Sequence, residues 1–390
     1  MGAEMIEHSA PLGFRSWTTN LGLAPADRND FAMVVSTRPC TTSTVFTRSL
    51  FAGPCVEISR PVAAGRTARG IAVLAKNANV ATGDEGLRNA LEVRERAARL
   101  AGISPDELII ASTGVIGCQY PMETIRTRFD ALTPRGSSFD VHATAQAIMT
   151  TDTREKISSR KIGKATILGI AKGVGMIEPD MATMLSFIYT DAEVPEQELD
   201  DIFRDVVQRT YNSVSIDTDT STSDTAAIFA NGAAGAVNLT EFHQALTEVC
   251  TDLVKMIARD GEGASKLIEV TVTGASTEPQ ARTVAKTIVN SPLVKTMVHG
   301  EDPNWGRVVM AIGKCQDERT IDPAKVQVRF GYHIVYPPNS AGVDLISVRK
   351  HLAGEEVLVN VDLGIGQEAW TVYGCDLTEG YIRINADYTT

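Results

Sequence analysis

The chain has 390 residues, 43% of them hydrophobic and 22% charged, which is the profile of a globular protein with enough length for a large core. Its 37 basic and 48 acidic residues leave a formal charge of −11, which disfavours a nucleic-acid or anionic-membrane partner and points to a small molecule. No apolar run approaches the roughly 18 residues of a membrane span. The N-terminal stretch lacks a basic region followed by an apolar one, so the expected location is the cytoplasm.

Residues 1–30, with Pro11, Gly13, Gly22 and Pro25, read as an irregular lead-in. Two strand-like runs at 31–37 and 42–49 flank Pro39-Cys40 and predict a hairpin. A core strand follows at 70–79 and ends in an Asn-rich turn. Residues 84–100 carry apolar side chains at helical spacing, with acids early and arginines late, as the helix dipole favours. A strand at 107–117 runs into the small-residue turn Ser112-Thr113-Gly114, which exposes backbone N–H groups. Helical character at 139–150 is broken by the hydroxyl-rich run Thr150–Thr153.

The most informative stretch runs from Lys172 to Tyr189. A strand at 164–170 leads into Gly173 and Gly175, Pro179 fixes a turn, and a buried strand starts at Met184. Thr183 therefore sits where a constrained loop enters a core strand. Beyond it lie an amphipathic helix at 196–214, a hydroxyl and carboxylate cluster at 215–225, a small-residue strand, and the longest helical signal at 241–263. An alternating strand at 266–275 precedes a helical region at 278–300 that Pro292 divides. Residues 325–386, including Tyr381–Asn385, read mostly as strands. Strand groups separated by single helices, without repeats or a low-complexity linker, predict a layered α/β architecture.

Simple site patterns are missing. The cluster at 215–225 lacks the Gly and closing Glu of a calcium loop, the six histidines are isolated, and there is no GxSxG elbow. GVG at 173–175 fits neither nucleotide-binding pattern. The six cysteines form no CxxC pair, so neither zinc nor a disulfide framework is signalled. No metal and no cofactor are expected.

Taken alone, Thr183 would more often be a packing residue than a nucleophile. The wording around it says more. KGVGMIEPDMATML at 172–185 resembles the cleavage-site segment of the ornithine acetyltransferase family, whose precursors cut themselves before the Thr of Met-Ala-Thr. ASTGVIG (111–117), MTTDT (149–153), SIDTDTSTSDT (215–225), DGEGASKL (260–267), DPNWGR (302–307) and the closing INADYTT resemble further motifs of that family, in its order.

The resemblance implies a layered αββα sandwich cut between Ala182 and Thr183 into an α chain, 1–182, and a β chain, 183–390, that stay intertwined. It implies Thr183 as nucleophile, Thr113 and Gly114 as oxyanion hole, and Thr150, Lys172, Thr183, Glu262, Asn385 and Thr390 as substrate contacts. These types make chemical sense. An N-terminal threonine carries its own base, an α-amine with a pKa of about 7.7–8.0, and a developing oxyanion needs aimed donors. Lys172 can pair with a carboxylate and Glu262 with an ammonium. The implied reaction moves acetyl from N-acetyl-ornithine to glutamate through an acyl-Thr183 intermediate. Whether acetyl-CoA is a second donor stays open. The implied assembly is a heterotetramer of two α and two β chains.

One departure is local: Glu178 and Asp180 stand where the common family wording has Ala and Asn. Two acids there bear on the electrostatics of the nucleophile and place the chain nearer a divergent branch that includes copies in antibiotic gene clusters. Two rivals make other expectations. An N-terminal-nucleophile amidase or peptidase would use water as acceptor, and an unprocessed binding protein would stay intact.

Overall fold

The computed structural model describes residues 8–134, 136–178, 184–338 and 342–387. The first part of the chain forms β1 (Phe14–Thr19), β2 (Phe31–Ser36), β3 (Thr41–Phe46), α1 (Pro54–Ala64), β4 (Gly70–Leu74), α2 (Gly83–Ala101), β5 (Leu108–Ser112), α3 (Met122–Asp130), β6 (Ser137–Ser138) and α4 (Val141–Ala147). It continues through β7 (Lys156–Ile162), β8 (Ala165–Lys172), β9 (Leu185–Glu193), α5 (Glu196–Arg209), β10 (Thr225–Ala236) and α6 (Leu239–Arg259). The remainder comprises β11 (Leu267–Ala275), α7 (Glu278–Val289), α8 (Pro292–His299), α9 (Gly306–Gly313), β12 (Gln327–Phe330), β13 (His333–Tyr336), α10 (Leu345–Leu352), β14 (Glu356–Asp362), β15 (Glu368–Cys375) and α11 (Glu379–Asp387).

Two five-stranded sheets, ordered β5-β4-β2-β1-β6 and β3-β10-β9-β8-β7, face each other. Val34, Ile71, Val73 and Ile109 of the first sheet meet Leu168, Ile170, Phe187, Tyr189 and Phe229 of the second. Tyr189 anchors this layer, edge-on to Phe14 at 5.4 Å and stacked on Phe229 at 5.7 Å. The outer faces are also apolar. The first takes α2 and α3 through Ala90, Val93, Ala97, Ile125 and Phe129, and the second takes α5 and α6 through Leu199, Phe203, Leu246, Val249 and Leu253. Each large aliphatic side chain removed from water contributes about 1.5–3 kcal/mol. The result is the expected αββα order. A third sheet, β13-β12-β14-β11-β15, carries α7 to α10 on a separate core.

Local sequence explains the helix limits. Asn238 caps α6 by accepting from the Thr240 and Glu241 N–H groups, and α2 ends at Gly102 in the left-handed conformation. Pro292 divides α7 from α8, as expected.

Three expectations fail. Residues 31–37 and 42–49 form strands but not a hairpin: β2 pairs with β1 and β4, whereas β3 pairs with β10 in the other sheet. The Pro39-Cys40 connection carries the chain from one layer to the next. The lead-in contains β1, whose Phe14 faces the inter-sheet core while Trp17 faces the helices. β1 puts one large apolar side chain on each face, with Arg15 exposed between them, so its sequence shows no clean alternation. Tyr381–Asn385 belongs to α11 instead of a strand, with Ile382 and Ile384 exposed and Asn385 bonded to the Tyr381 carbonyl.

The second sheet has a consequence for the site. β8 pairs with β9 antiparallel, from Lys172 opposite Leu185 onward, and β9 pairs with β10 in parallel. Residues on both sides of the Ala182–Thr183 bond thus share one hydrogen-bonded layer.

Candidate active site

The ends of β5, β8 and β9 and the loop before β10 open on one cavity of about 280 Å³. Its walls include Thr113, Gly114, Thr150, Lys172, Glu262 and Asn385. Residues up to 272 positions apart in sequence, 113 to 385, therefore meet at one place. Met184 and Leu185 line the same cavity. Thr183, Ala182, Asp180 and Thr390 lie outside the described residues.

Gly114 is fixed by a close backbone approach. It has a φ of +131°, and a Cβ there would stand 2.1 Å from the Lys76 carbonyl carbon. The flanking Thr113 and Val115 N–H groups donate to the Leu74 and Lys76 carbonyls at 2.9 and 3.1 Å. Among the described residues the Gly114 N–H itself donates to nothing. The turn thus presents a donor beside the Thr113 hydroxyl.

Lys172 reaches that hydroxyl directly: its Nζ donates to Thr113 Oγ1 at 3.1 Å. The acceptor lone pair of Thr113 is used, so its own proton is free for another partner. Lys172 is 9% exposed, and burial pushes its ammonium below the ordinary lysine value. Asp152 opposes that shift from nearby.

Asp152 belongs to a charge cluster under the cavity floor. Its Oδ1 accepts from Lys156 Nζ and from the Gly173 N–H, each at 2.7 Å, and its Oδ2 accepts from the Thr150 N–H at 3.0 Å. Burial alone would raise the carboxyl, but Lys172 and Lys156 with these bonds hold it at about 2. Lys156 is fully buried and also donates to Asp260 at 2.7 Å. A third lysine, Lys76, donates to the Thr150 carbonyl at 2.5 Å. Thr150 is thus held through its backbone from two sides.

Glu262 forms the opposite wall. Its carboxylate accepts from Thr151 Oγ1 at 3.0 Å and from Asn385 Nδ2 at 2.9 Å. Gly175 makes room for it, since a Cβ there would meet Glu262 Oε2 at 2.6 Å. Gly175 therefore admits a carboxylate, a contact that no local pattern of residues signals.

The cluster at 215–225 holds the segment Met176–Glu178. Asp217 accepts from the Met176 and Ile177 N–H groups at 2.6 and 2.7 Å, and Ile177 O accepts from the Ile216 N–H at 2.7 Å. Glu178 points away as a strap: it accepts from Ser215 at 2.8 Å, Asn290 at 2.6 Å and Lys286 at 3.4 Å. Its charge is taken up by Lys286 of α7. Sequence reasoning missed Asp152 with Lys156, Lys76 and Asp217. The spacing of Asp152 and Lys156 was visible, but a pair four apart normally reads as a solvated helix face.

The model of the ArgJ family matches residues 15–390. The arginine biosynthesis bifunctional protein ArgJ of Rhodococcoides fascians is 66% identical over 393 residues, covering 100% of this chain and 97% of the relative. The glutamate N-acetyltransferase Oat2 of Streptomyces clavuligerus is 57% identical over 385 residues, covering 97% and 98%. A crystal structure of the Bacillus halodurans bifunctional protein argJ is 38% identical with a TM-score of 0.49, covering 53% of this chain and 100% of that one. With a family model spanning nearly all of its length and relatives matched from end to end, this chain belongs to the ArgJ family.

Proposed function

We propose that the chain is a glutamate N-acetyltransferase of arginine biosynthesis that cuts itself before Thr183 and carries acetyl from N-acetyl-ornithine to glutamate on the Thr183 hydroxyl. One observation carries the reading: Thr113, Gly114, Thr150, Lys172, Glu262 and Asn385, expected at one site from their motifs, line one cavity together with Met184, the residue after Thr183. The names of the relatives agree, being a bifunctional arginine-biosynthesis protein and a glutamate N-acetyltransferase.

In the first step the Thr183 hydroxyl attacks the Ala182 carbonyl, the Ala182–Thr183 amide breaks, and water hydrolyses the resulting ester. The free amine of Thr183 then serves as base. The hydroxyl gives its proton to that amine and attacks the acetyl carbonyl of N-acetyl-ornithine. Ornithine departs with the proton, and the glutamate amine attacks the acyl-threonine ester to leave N-acetyl-glutamate. The Gly114 N–H and the Thr113 proton, left free by Lys172, suit the oxyanion of both tetrahedral intermediates. Glu262 suits a substrate ammonium, with Asn385 and Thr151 fixing its carboxylate. Thr150 and Thr390 are the remaining proposed contacts.

The cut would leave an α chain of 1–182 and a β chain of 183–390, locked together by the β8–β9 pairing and assembling as a cytoplasmic heterotetramer. Intact mass under denaturing conditions, with N-terminal sequencing and an acetyl-transfer assay, tests the reading. Two fragments, one beginning Thr183-Met184, and acetyl delivered to glutamate are expected. An uncut, inactive chain would sink the proposal, and acetate released regardless of glutamate would make the protein an amidase.

A further inference from the structure

A second cavity, of about 250 Å³, lies where α1 and α5 meet β3, the edge strand of its sheet. It shares no residue with the candidate active site. Arg60 comes to it from α1, Arg66 from the turn after that helix and Arg204 from α5, while Thr42, Ser43 and Thr44 line it from β3.

Three guanidinium groups in one place are unexpected in a chain with a formal charge of −11. Asp200 explains how two of them are held. Its Oδ1 accepts from Ser43 Oγ at 2.6 Å, and its Oδ2 accepts from Arg66 Nη2 at 3.1 Å and Arg204 Nε at 3.0 Å. Glu196 accepts from Arg66 Nη1 at 3.2 Å. Three cations against these two carboxylates still leave one positive charge. Among the described residues Arg60 has no ion pair and uses one N–H, to the Thr47 carbonyl at 2.9 Å. An arginine carries five N–H donors, so most of those on Arg60 and Arg204 stay unused.

The strand adds further donors. Thr42 and Thr44 stand on one face of β3, opposite Phe229 and Ala227 of β10, and Thr42 is 1% exposed. Neither hydroxyl has a hydrogen-bond partner among the described residues. A buried hydroxyl without a partner carries an uncompensated desolvation cost. The carboxylates here are engaged, whereas guanidinium and hydroxyl donors are left over. A matching ligand must bring negative charge and oxygen acceptors. Donors converging from two helices and a strand suit a tetrahedral group better than a planar carboxylate, which one arginine can hold alone.

We propose that this cavity binds a phosphate group, held by Arg60, Arg204 and the Thr42 and Thr44 hydroxyls, with Asp200 aiming the guanidinium groups. The site does not depend on the self-cleaving reading. Its phosphate can come from the free ion or from a phosphorylated metabolite.

Calorimetric titration of the whole protein with inorganic phosphate, against chloride at the same ionic strength, tests this alongside thermal unfolding. Phosphate should bind and raise the unfolding temperature, and chloride should do neither. Arg60→Gln, which gives up only the Thr47 contact, should weaken binding by about tenfold or more, the scale of one hydrogen bond to a charged group. Thr42→Val keeps the shape of the strand and should weaken binding several-fold. Without phosphate it should be at least as stable as the wild type, because the hydroxyl it removes has no partner to lose. Adenosine monophosphate assigns the source: binding tighter than that of inorganic phosphate points to a phosphorylated metabolite, weaker or absent binding to the free ion, and either upholds the site. Phosphate binding unchanged in both variants would place the anion elsewhere and overturn the proposal. Equal stabilisation by chloride, or a Thr42→Val protein that is less stable without phosphate, would overturn it as well.

Discussion

The Lys172 ammonium donates to the Thr113 hydroxyl at 3.1 Å, and this bond ties the end of β8 in one sheet to the turn after β5 in the other. It orients a hydroxyl proton and brings a positive charge to the place where an oxyanion would form. Lys172→Met keeps most of the volume and removes both effects. Acetyl transfer should fall by about 10²–10³-fold in kcat, the scale set by loss of one oxyanion-stabilising donor. Steady-state kinetics on cut protein checks this; a change confined to KM would reduce Lys172 to a substrate anchor.

Gly114→Ala places a methyl 2.1 Å from the Lys76 carbonyl carbon and holds alanine at a φ of +131°. The Lys76–Val115 contact must open to admit it. We expect a stability loss on the order of 1–3 kcal/mol from backbone strain, together with near-complete loss of acetyl transfer. Urea unfolding followed by circular dichroism measures the first. A fully stable, active variant would refute the close backbone approach.

The buried Lys156 neutralises Asp152 and Asp260, each 2.7 Å away. Lys156→Met leaves two buried carboxylates facing each other and should cost about 3–5 kcal/mol. The pH dependence follows from Asp152, held at about 2 by Lys172 and Lys156 against the effect of burial. A carboxyl depressed in the folded state stabilises above its unfolded pKa of about 3.9, and the contribution, on the order of 2 kcal/mol, is lost as pH falls toward 2. Wild-type unfolding midpoints should therefore decline over that acid window. Lys156→Met should begin its decline at higher pH, and parallel curves would argue against the pairing.

Glu178 fastens the segment before Thr183 to α7 through Asn290 and Lys286 and to Ser215. Glu178→Ala removes three partners at once and should cost about 1–3 kcal/mol. It should also slow cleavage, because a loosened segment spends less time in an attacking geometry. Time-resolved gels of freshly expressed protein would record this. Cleavage as fast as in the wild type would limit Glu178 to stability.

The sequence by itself determined a layered α/β class, because buried strands and amphipathic helices each carry their own periodicity, and α2, α5, α6, β8 and β9 follow it closely, while the αββα order was implied by the family resemblance. The motifs around Thr113, Thr150, Lys172, Glu262 and Asn385 are short and local, so the family resemblance was enough to put these residues forward as candidates for one site. The tertiary structure alone decided what those residues do to each other. The 31–49 hairpin failed because pairing is a long-range choice, in which β10 won β3. Strand β1 was hidden because its two large apolar residues, Phe14 and Trp17, sit on opposite faces, and α11 was misread because β-branched residues on an exposed helix look like a strand. Asp152, Lys156 and Asp224 carry no local signal of burial. Their shifted protonation arises only when distant elements exclude water around them, and a linear pattern of residue types holds no record of that exclusion.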